Sequence, residues 1–68
     1  MQTYWFEAKL ITEFDGHYGT EFVKEKIQAA DQIVACKRFM KIVNGVAGVA
    51  KKRGFDVALF EMTTTCMD

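Results

Sequence analysis

One segment, residues 31–54, repeats apolar side chains every three or four positions and so predicts a long amphipathic helix. Asp31 suits the N-terminal cap, because its carboxylate can accept hydrogen bonds from the free amides of the first turn. Gly54 suits the position after the last turn, where the backbone is commonly left-handed. A helix with one apolar side has to cover a second hydrophobic layer, which the remaining residues must supply.

The two sides of this predicted helix differ in polarity. The apolar arc contains Ala35, Cys36, Phe39, Met40, Ile42, Val43, Val46, Ala47, Val49 and Ala50. The opposite arc contains Lys37, Lys41, Asn44, Gly45, Gly48 and Lys52. Gly45 and Gly48 each cost roughly 1 kcal/mol relative to alanine, so a break at Asn44 and Gly45 is the alternative. We expect one continuous helix, because both glycines stay in phase on the outer arc.

The segment before the helix alternates between apolar and polar side chains, as half-buried strands do. Residues 15–19 contain two glycines and an aspartate, which predicts a hairpin turn. A second strand follows over about residues 20–29, and we expect Val23 and Ile27 to face inward. The first strand covers residues 3–14, and the side chains sharing its apolar face are Tyr4, Phe6, Ala8, Leu10 and Phe14.

Residues 55–64 form a third predicted strand, which is apolar on both faces. Such a strand usually has both faces covered, so we place it beside the first strand. The order ββαβ gives a single α+β domain over residues 1–68, in two layers: a three-stranded antiparallel sheet with one long helix on one face. Phe55, Val57 and Leu59 share one face of this strand, and Ala58, Phe60 and Met62 share the other.

The chain offers little for catalysis or metal binding. His17 is the single histidine, whereas a zinc site needs three or four converging ligands. Cys36 is predicted to face the core and Cys66 to lie in a frayed end, and neither has a base to activate it. Two widely spaced cysteines predict free thiols in a cytoplasmic protein. We expect no enzyme activity, no metal, no cofactor and no membrane segment.

A net charge of zero hides an uneven distribution along the chain. Residues 32–53 hold six of the nine cationic residues and no acid, so the rest of the chain is acidic by the same amount. A basic helix attracts nucleic acid or an acidic protein surface, although Lys and Arg also commonly form a solvated face. The candidate contact residues on the helix are Lys37, Arg38, Lys41, Asn44, Lys51 and Lys52.

The uncovered side of the predicted sheet is a second candidate surface, because one helix covers only one face. Aromatic and aliphatic side chains there, ringed by Lys and Glu, are typical of anchors in a protein interface, a homodimer included. Isolated exposed apolar residues are also ordinary on protein surfaces, and both interpretations stay open. The candidate contact residues on this face are Trp5, Ile11, Phe22 and Lys24.

The passage Ile-Gln-Ala-Ala-Asp-Gln-Ile-Val-Ala at residues 27–35 ends a strand in an alanine-rich step and begins a capped helix. Together with the short length and the neutral, cysteine-poor composition, it resembles the small anti-CRISPR proteins of ββαβ type that bacteriophages encode. The resemblance implies a non-catalytic inhibitor, in the host bacterial cytoplasm, that covers a nucleic-acid-binding or subunit-binding surface of a CRISPR effector. Many such proteins mimic DNA through strong acidity, whereas this chain is neutral and has a basic helix.

Three functions therefore remain open. The first is an inhibitor that docks on a larger host protein or ribonucleoprotein complex. The second is a small nucleic-acid-binding module that uses the basic helix or stacks bases on the aromatic sheet face. The third is a dimeric structural subunit of a phage or mobile element, with its sheets stacked.

Overall fold

The computed structural model describes residues 1–67. Over these residues the chain forms β1 (Gln2–Phe14), β2 (His17–Ala29), α1 (Gln32–Lys52) and β3 (Asp56–Cys66). The strands make an antiparallel sheet in the order β2-β1-β3, and α1 packs on one face. The predicted two-layer α+β fold is confirmed. Within the described residues, α1 does not combine the length and the apolar character that crossing a membrane requires.

The core lies between the central strand β1 and α1. From Tyr4 to Thr12, every second residue of β1 is buried on the helix side, because side chains alternate along a strand. The buried residues of α1 are Ala35, Phe39 and Val43, which follow each other at intervals of one helical turn. Phe6 and Phe39 stack with ring centroids 4.8 Å apart and are both fully buried. The other β1 residues in this core are Tyr4, Ala8 and Leu10.

A two-residue turn joins β1 to β2, whereas the sequence predicted a turn over residues 15–19. Asp15 has a φ of 49° and Gly16 a φ of 78°, so both turn residues are left-handed, as in a type I′ turn. This turn type matches the twist of the strands, so pairing starts at once with Phe14 opposite His17. The second glycine of the predicted turn, Gly19, lies within β2.

The helix runs unbroken through Gly45 and Gly48, as predicted. The Asp31 carboxylate caps its start by accepting a hydrogen bond of 2.9 Å from the Val34 amide. After its last turn, Gly54 is left-handed, with a φ of 91°. The chemical rules that fix helix ends act over a few residues, which is why the sequence sufficed to predict both ends.

The buried stripe of α1 is narrower than predicted. Ile42 is 39% exposed and Val49 is 52% exposed, although the sequence placed both in the apolar arc. The outer strands of a three-stranded sheet lie only about 10 Å apart, so the sheet supports the middle of the helix and leaves its flanks uncovered. From β2, Val23 is buried and Ile27 half-buried against the helix, as predicted.

β3 lies at an edge of the sheet, whereas its two apolar faces predicted a strand that is covered on both sides. Its pairing with β1 skips Ala58, which is the extra residue of a β-bulge. Because side chains alternate along a strand, a bulge reverses the facing of every later residue. Val57 and Phe60 therefore share the helix side and Leu59 lies on the opposite side. The sequence had grouped Val57 with Leu59.

Candidate binding surfaces

The outer face of α1 is the first candidate surface. Its predicted contact residues span roughly 22 Å along the helix axis, from Lys37 to Lys52, at 1.5 Å per residue. The stretch of helix that carries them contains no acidic residue to offset their charge. The predicted contact residues that are exposed on this face are Lys37, Lys41, Asn44, Lys51 and Lys52. Below, "the cationic face" means these five residues.

Arg38, the sixth predicted contact residue on the helix, has a different position. Its side chain is exposed, but its Nη1 donates a hydrogen bond of 2.8 Å to the main-chain carbonyl of Gln28 in β2. Arg38 therefore lies on the flank of α1 nearest β2 and ties the helix to that strand. We exclude it from the cationic face.

The cationic face has a depression in its middle, because Gly45 and Gly48, which have no side chains, lie between its two pairs of lysines. A methyl group at either glycine would meet no other element of residues 1–67 within 4 Å. Neither glycine is therefore required by packing within the chain. Their small size leaves the helix backbone accessible between Lys41 and Lys51, so a partner could approach the helix closely there.

A shallow, open depression of about 500 Å³, here called the apolar groove, lies along the flank of α1 away from Arg38, and all its lining residues belong to α1. Ile33 is 70% exposed at its start, and Met40 is half-buried further along. Ile33 was not among the predicted contact residues, because it falls outside the predicted apolar arc. A large aliphatic residue on the polar side of a helix is the sequence signal that could have identified it. The groove is lined by Ile33, Cys36, Lys37, Met40, Lys41 and Asn44.

The uncovered face of the sheet, here called the open face, carries all four residues predicted for it. Trp5 and Ile11 are half-buried on it, while Phe22 and Lys24 are exposed. Glu7 occupies the centre of the face, not its rim. Read across β2, β1 and β3, its rows are Lys26-Trp5-Thr65, Lys24-Glu7-Thr63, Phe22-Lys9-Glu61 and Thr20-Ile11-Leu59. The predicted aromatic cluster is therefore divided by charged residues.

The open face is close to neutral, whereas the sequence predicted an acidic sheet. The reason is that other acids lie elsewhere: Glu21 and Glu25 are on the helix side of β2, and Asp15 and Asp31 are in connections. The charged residues of the open face are Glu7, Lys9, Glu13, Lys24, Lys26, Asp56 and Glu61. A basic groove would therefore find little net negative charge on this face.

A shallow depression of about 260 Å³ lies in the middle of the open face, between Phe22, Lys24 and Glu61. Sites for small molecules are usually mostly apolar and enclose roughly 300–1,000 Å³. This depression is smaller and is surrounded by charged residues, so it does not have the properties of a small-molecule site. Tyr18 and Leu59 also lie on the open face, and neither was predicted there, because the shorter turn and the bulge determine which way they face.

No group of three or more His, Cys, Asp or Glu side chains among residues 1–67 could hold a metal ion. His17 begins β2. Cys36 is a half-buried free thiol and Cys66 an exposed one, and Cys66 pairs with Tyr4 in the sheet where a frayed end was predicted. The chain matches no protein-family model, no curated protein and no solved structure.

Proposed function

We propose that this protein is a non-enzymatic binding protein that inhibits a larger complex by covering one of its surfaces with the cationic face of α1. The observation that carries the proposal is the concentration of exposed lysines on a continuous, capped helix that has no acid of its own. The backbone of a continuous helix needs little further ordering when its charged side chains meet an oppositely charged surface.

The apolar groove favours a protein as the partner. Ile33 and Met40 adjoin Lys37 and Lys41 in it, and apolar anchors with a charged rim are typical of protein interfaces. A phosphate backbone would use the lysines and leave Ile33 exposed. The resemblance to phage-encoded ββαβ inhibitors supports a subunit of a CRISPR effector as the complex, and the host bacterial cytoplasm as the location.

The first prediction concerns capture of the partner from bacterial lysate. We expect Lys37→Glu combined with Lys41→Glu to weaken binding by at least about tenfold, because each change replaces an attraction with a repulsion. The matched control is Lys24→Glu with Lys26→Glu, which makes the same change of charge on the open face. Binding would be measured by titration after the partner is identified by mass spectrometry. Equal losses in both variants, or no loss in the first, would contradict the proposal.

Titrations at several salt concentrations separate the second candidate function, nucleic-acid binding through the lysines of α1. Release of counterions from about four phosphates, one for each lysine, gives a slope of log affinity against log salt of roughly −3 to −4. An interface with an acidic protein and an apolar groove responds much less steeply. A steep slope with an unrelated duplex or single strand would therefore replace the inhibitor proposal with a nucleic-acid-binding module.

A further inference from the structure

The central strand of the open face has a symmetric pattern about Ala8. Glu7 and Lys9 lie one position from that centre, and Trp5 and Ile11 lie three positions from it. Opposite charges therefore flank the centre, and large apolar side chains flank the charges. A surface with this pattern is complementary to its own copy after a two-fold rotation.

We propose that two copies of this chain dock through their open faces, with a two-fold axis that runs across the strands at Ala8. The strands of the two copies then run antiparallel, so that Glu7 of each copy faces Lys9 of the other. Trp5 of each copy faces Ile11 of the other. The two helices lie on the outside, and the dimer has four layers in the order α/β/β/α with its sheets aligned within about 30°.

The flanking strands agree with this arrangement. The register of β2 and β3 on β1 fixes which of their residues come together in the dimer. These pairs combine a charged residue with a neutral one or join two neutral residues, so no like charges face each other. The pairs are Lys24 with Phe22, Lys26 with Thr20, Glu61 with Thr63, and Leu59 with Thr65.

The area of the open face is that of a weak dimer. Three strands of about eleven residues cover roughly 14 by 36 Å, or about 500 Å² before side-chain relief is added. Stable interfaces bury roughly 600–1,000 Å² per partner, and weaker ones bury less. The sheet face alone therefore falls at or somewhat below the lower end of that range, and the dissociation constant should be micromolar or weaker.

The dimensions of the single chain also favour a second copy. It exposes 4798 Å², whereas a compact monomer of its mass exposes roughly 4,400 Å². Its radius of gyration is 13.3 Å, against about 11 Å for a compact domain of this length. Half-buried Trp5 and exposed Phe22 lie on the broad side of this elongated shape. Stacking a second copy on that side would give a more compact particle.

The experiment compares Glu7→Lys, Lys9→Glu and an equal mixture of the two variants. Each variant alone places like charges at both Glu7–Lys9 contacts, so its dimer should be at least about tenfold weaker than that of the wild type. In the mixture, two lysines of one copy meet two glutamates of the other, and a heterodimer should form with affinity near that of the wild type. Sedimentation equilibrium gives the dissociation constants, and mass spectrometry under native conditions identifies the heterodimer.

The mixture also excludes an effect within one chain. Within the sheet Glu7 lies opposite Lys24, and Lys9 lies opposite Glu61, so each substitution also creates a like-charge pair inside its own chain. Mixing cannot repair those internal pairs, and only contacts between copies explain recovery. A wild type that stays monomeric at high concentration, or a mixture that fails to recover, would overturn the proposal. Circular dichroism of each variant establishes that it is folded.

The free edge of β3 offers a different way to associate, by extension of the sheet into a second copy. A dimer of that kind leaves Glu7 and Lys9 of the central strand outside the interface, so it would persist in both single variants. That result would also overturn the open-face proposal. The dimer does not depend on the proposed function, since Lys37→Glu with Lys41→Glu should leave it intact.

Discussion

At the scale of single residues, Gly54 and Gly48 should respond to the same substitution in opposite ways. Gly54 has a φ of 91°, and a Cβ there would lie 3.2 Å from Cε2 of Phe14. Gly54→Ala should therefore destabilise the protein by about 1–2 kcal/mol. Gly48→Ala should stabilise it by about 0.5–1 kcal/mol, because a helical glycine has more conformational freedom to lose. Urea unfolding of both variants at one protein concentration measures the difference, and a neutral Gly54→Ala would contradict it.

The residues that the sequence predicted correctly are those governed by local rules. Asp31 and Gly54 were identified from the chemistry of helix ends, and Trp5 and Ile11 from simple alternation along one strand. Ile42 was misplaced, because its burial depends on how wide the sheet beneath the helix is. No pattern within the helix carries that information.

At the scale of elements, the N-cap of α1 gives a test of helix stability. Asp31→Ala removes the acceptor for the Val34 amide and should destabilise the protein by about 1 kcal/mol. Asp31→Asn keeps an acceptor oxygen and should lose only a few tenths of a kcal/mol. Thermal and urea unfolding of the two variants measure this. If both variants lost the same stability, the charge of Asp31 and not its hydrogen bond would be what stabilises the helix.

Element types and their order could be predicted from the sequence, but one boundary and one register could not. The turn consists only of Asp15 and Gly16, both with positive φ, and not of residues 15–19. In β3, Ala58 forms a bulge that changes the register with β1. A bulge forms through pairing with another strand, so the alternation of side chains along β3 does not reveal it. All four open-face candidates lie on the predicted face, and five of the six helix candidates lie on the outer face of α1. Glu7 lies at the centre of the open face, because β1 is the middle strand of the sheet.

At the scale of the whole molecule, the position of β1 predicts the folding kinetics. β1 pairs with its neighbour in sequence, β2, and also with the distant β3, so that Phe6 lies opposite Thr64. Such long-range pairing slows folding, to roughly milliseconds to seconds. The chain has no proline, so no slow isomerisation phase should follow. Stopped-flow fluorescence should show one exponential, because Trp5, the only tryptophan, lies between Lys26 and Thr65 and reports both pairings. A second, slow phase would contradict this.

The order β2-β1-β3 also has a consequence for the nascent chain. As the ribosome releases the hairpin and then the helix, β1 has one side unpaired, and it stays so until the segment Asp56–Cys66 has left the exit tunnel. An unpaired strand edge invites another chain to bind to it. Release of β3 from the tunnel therefore ends the interval during which neighbouring copies on the same messenger can misassemble or a chaperone can bind.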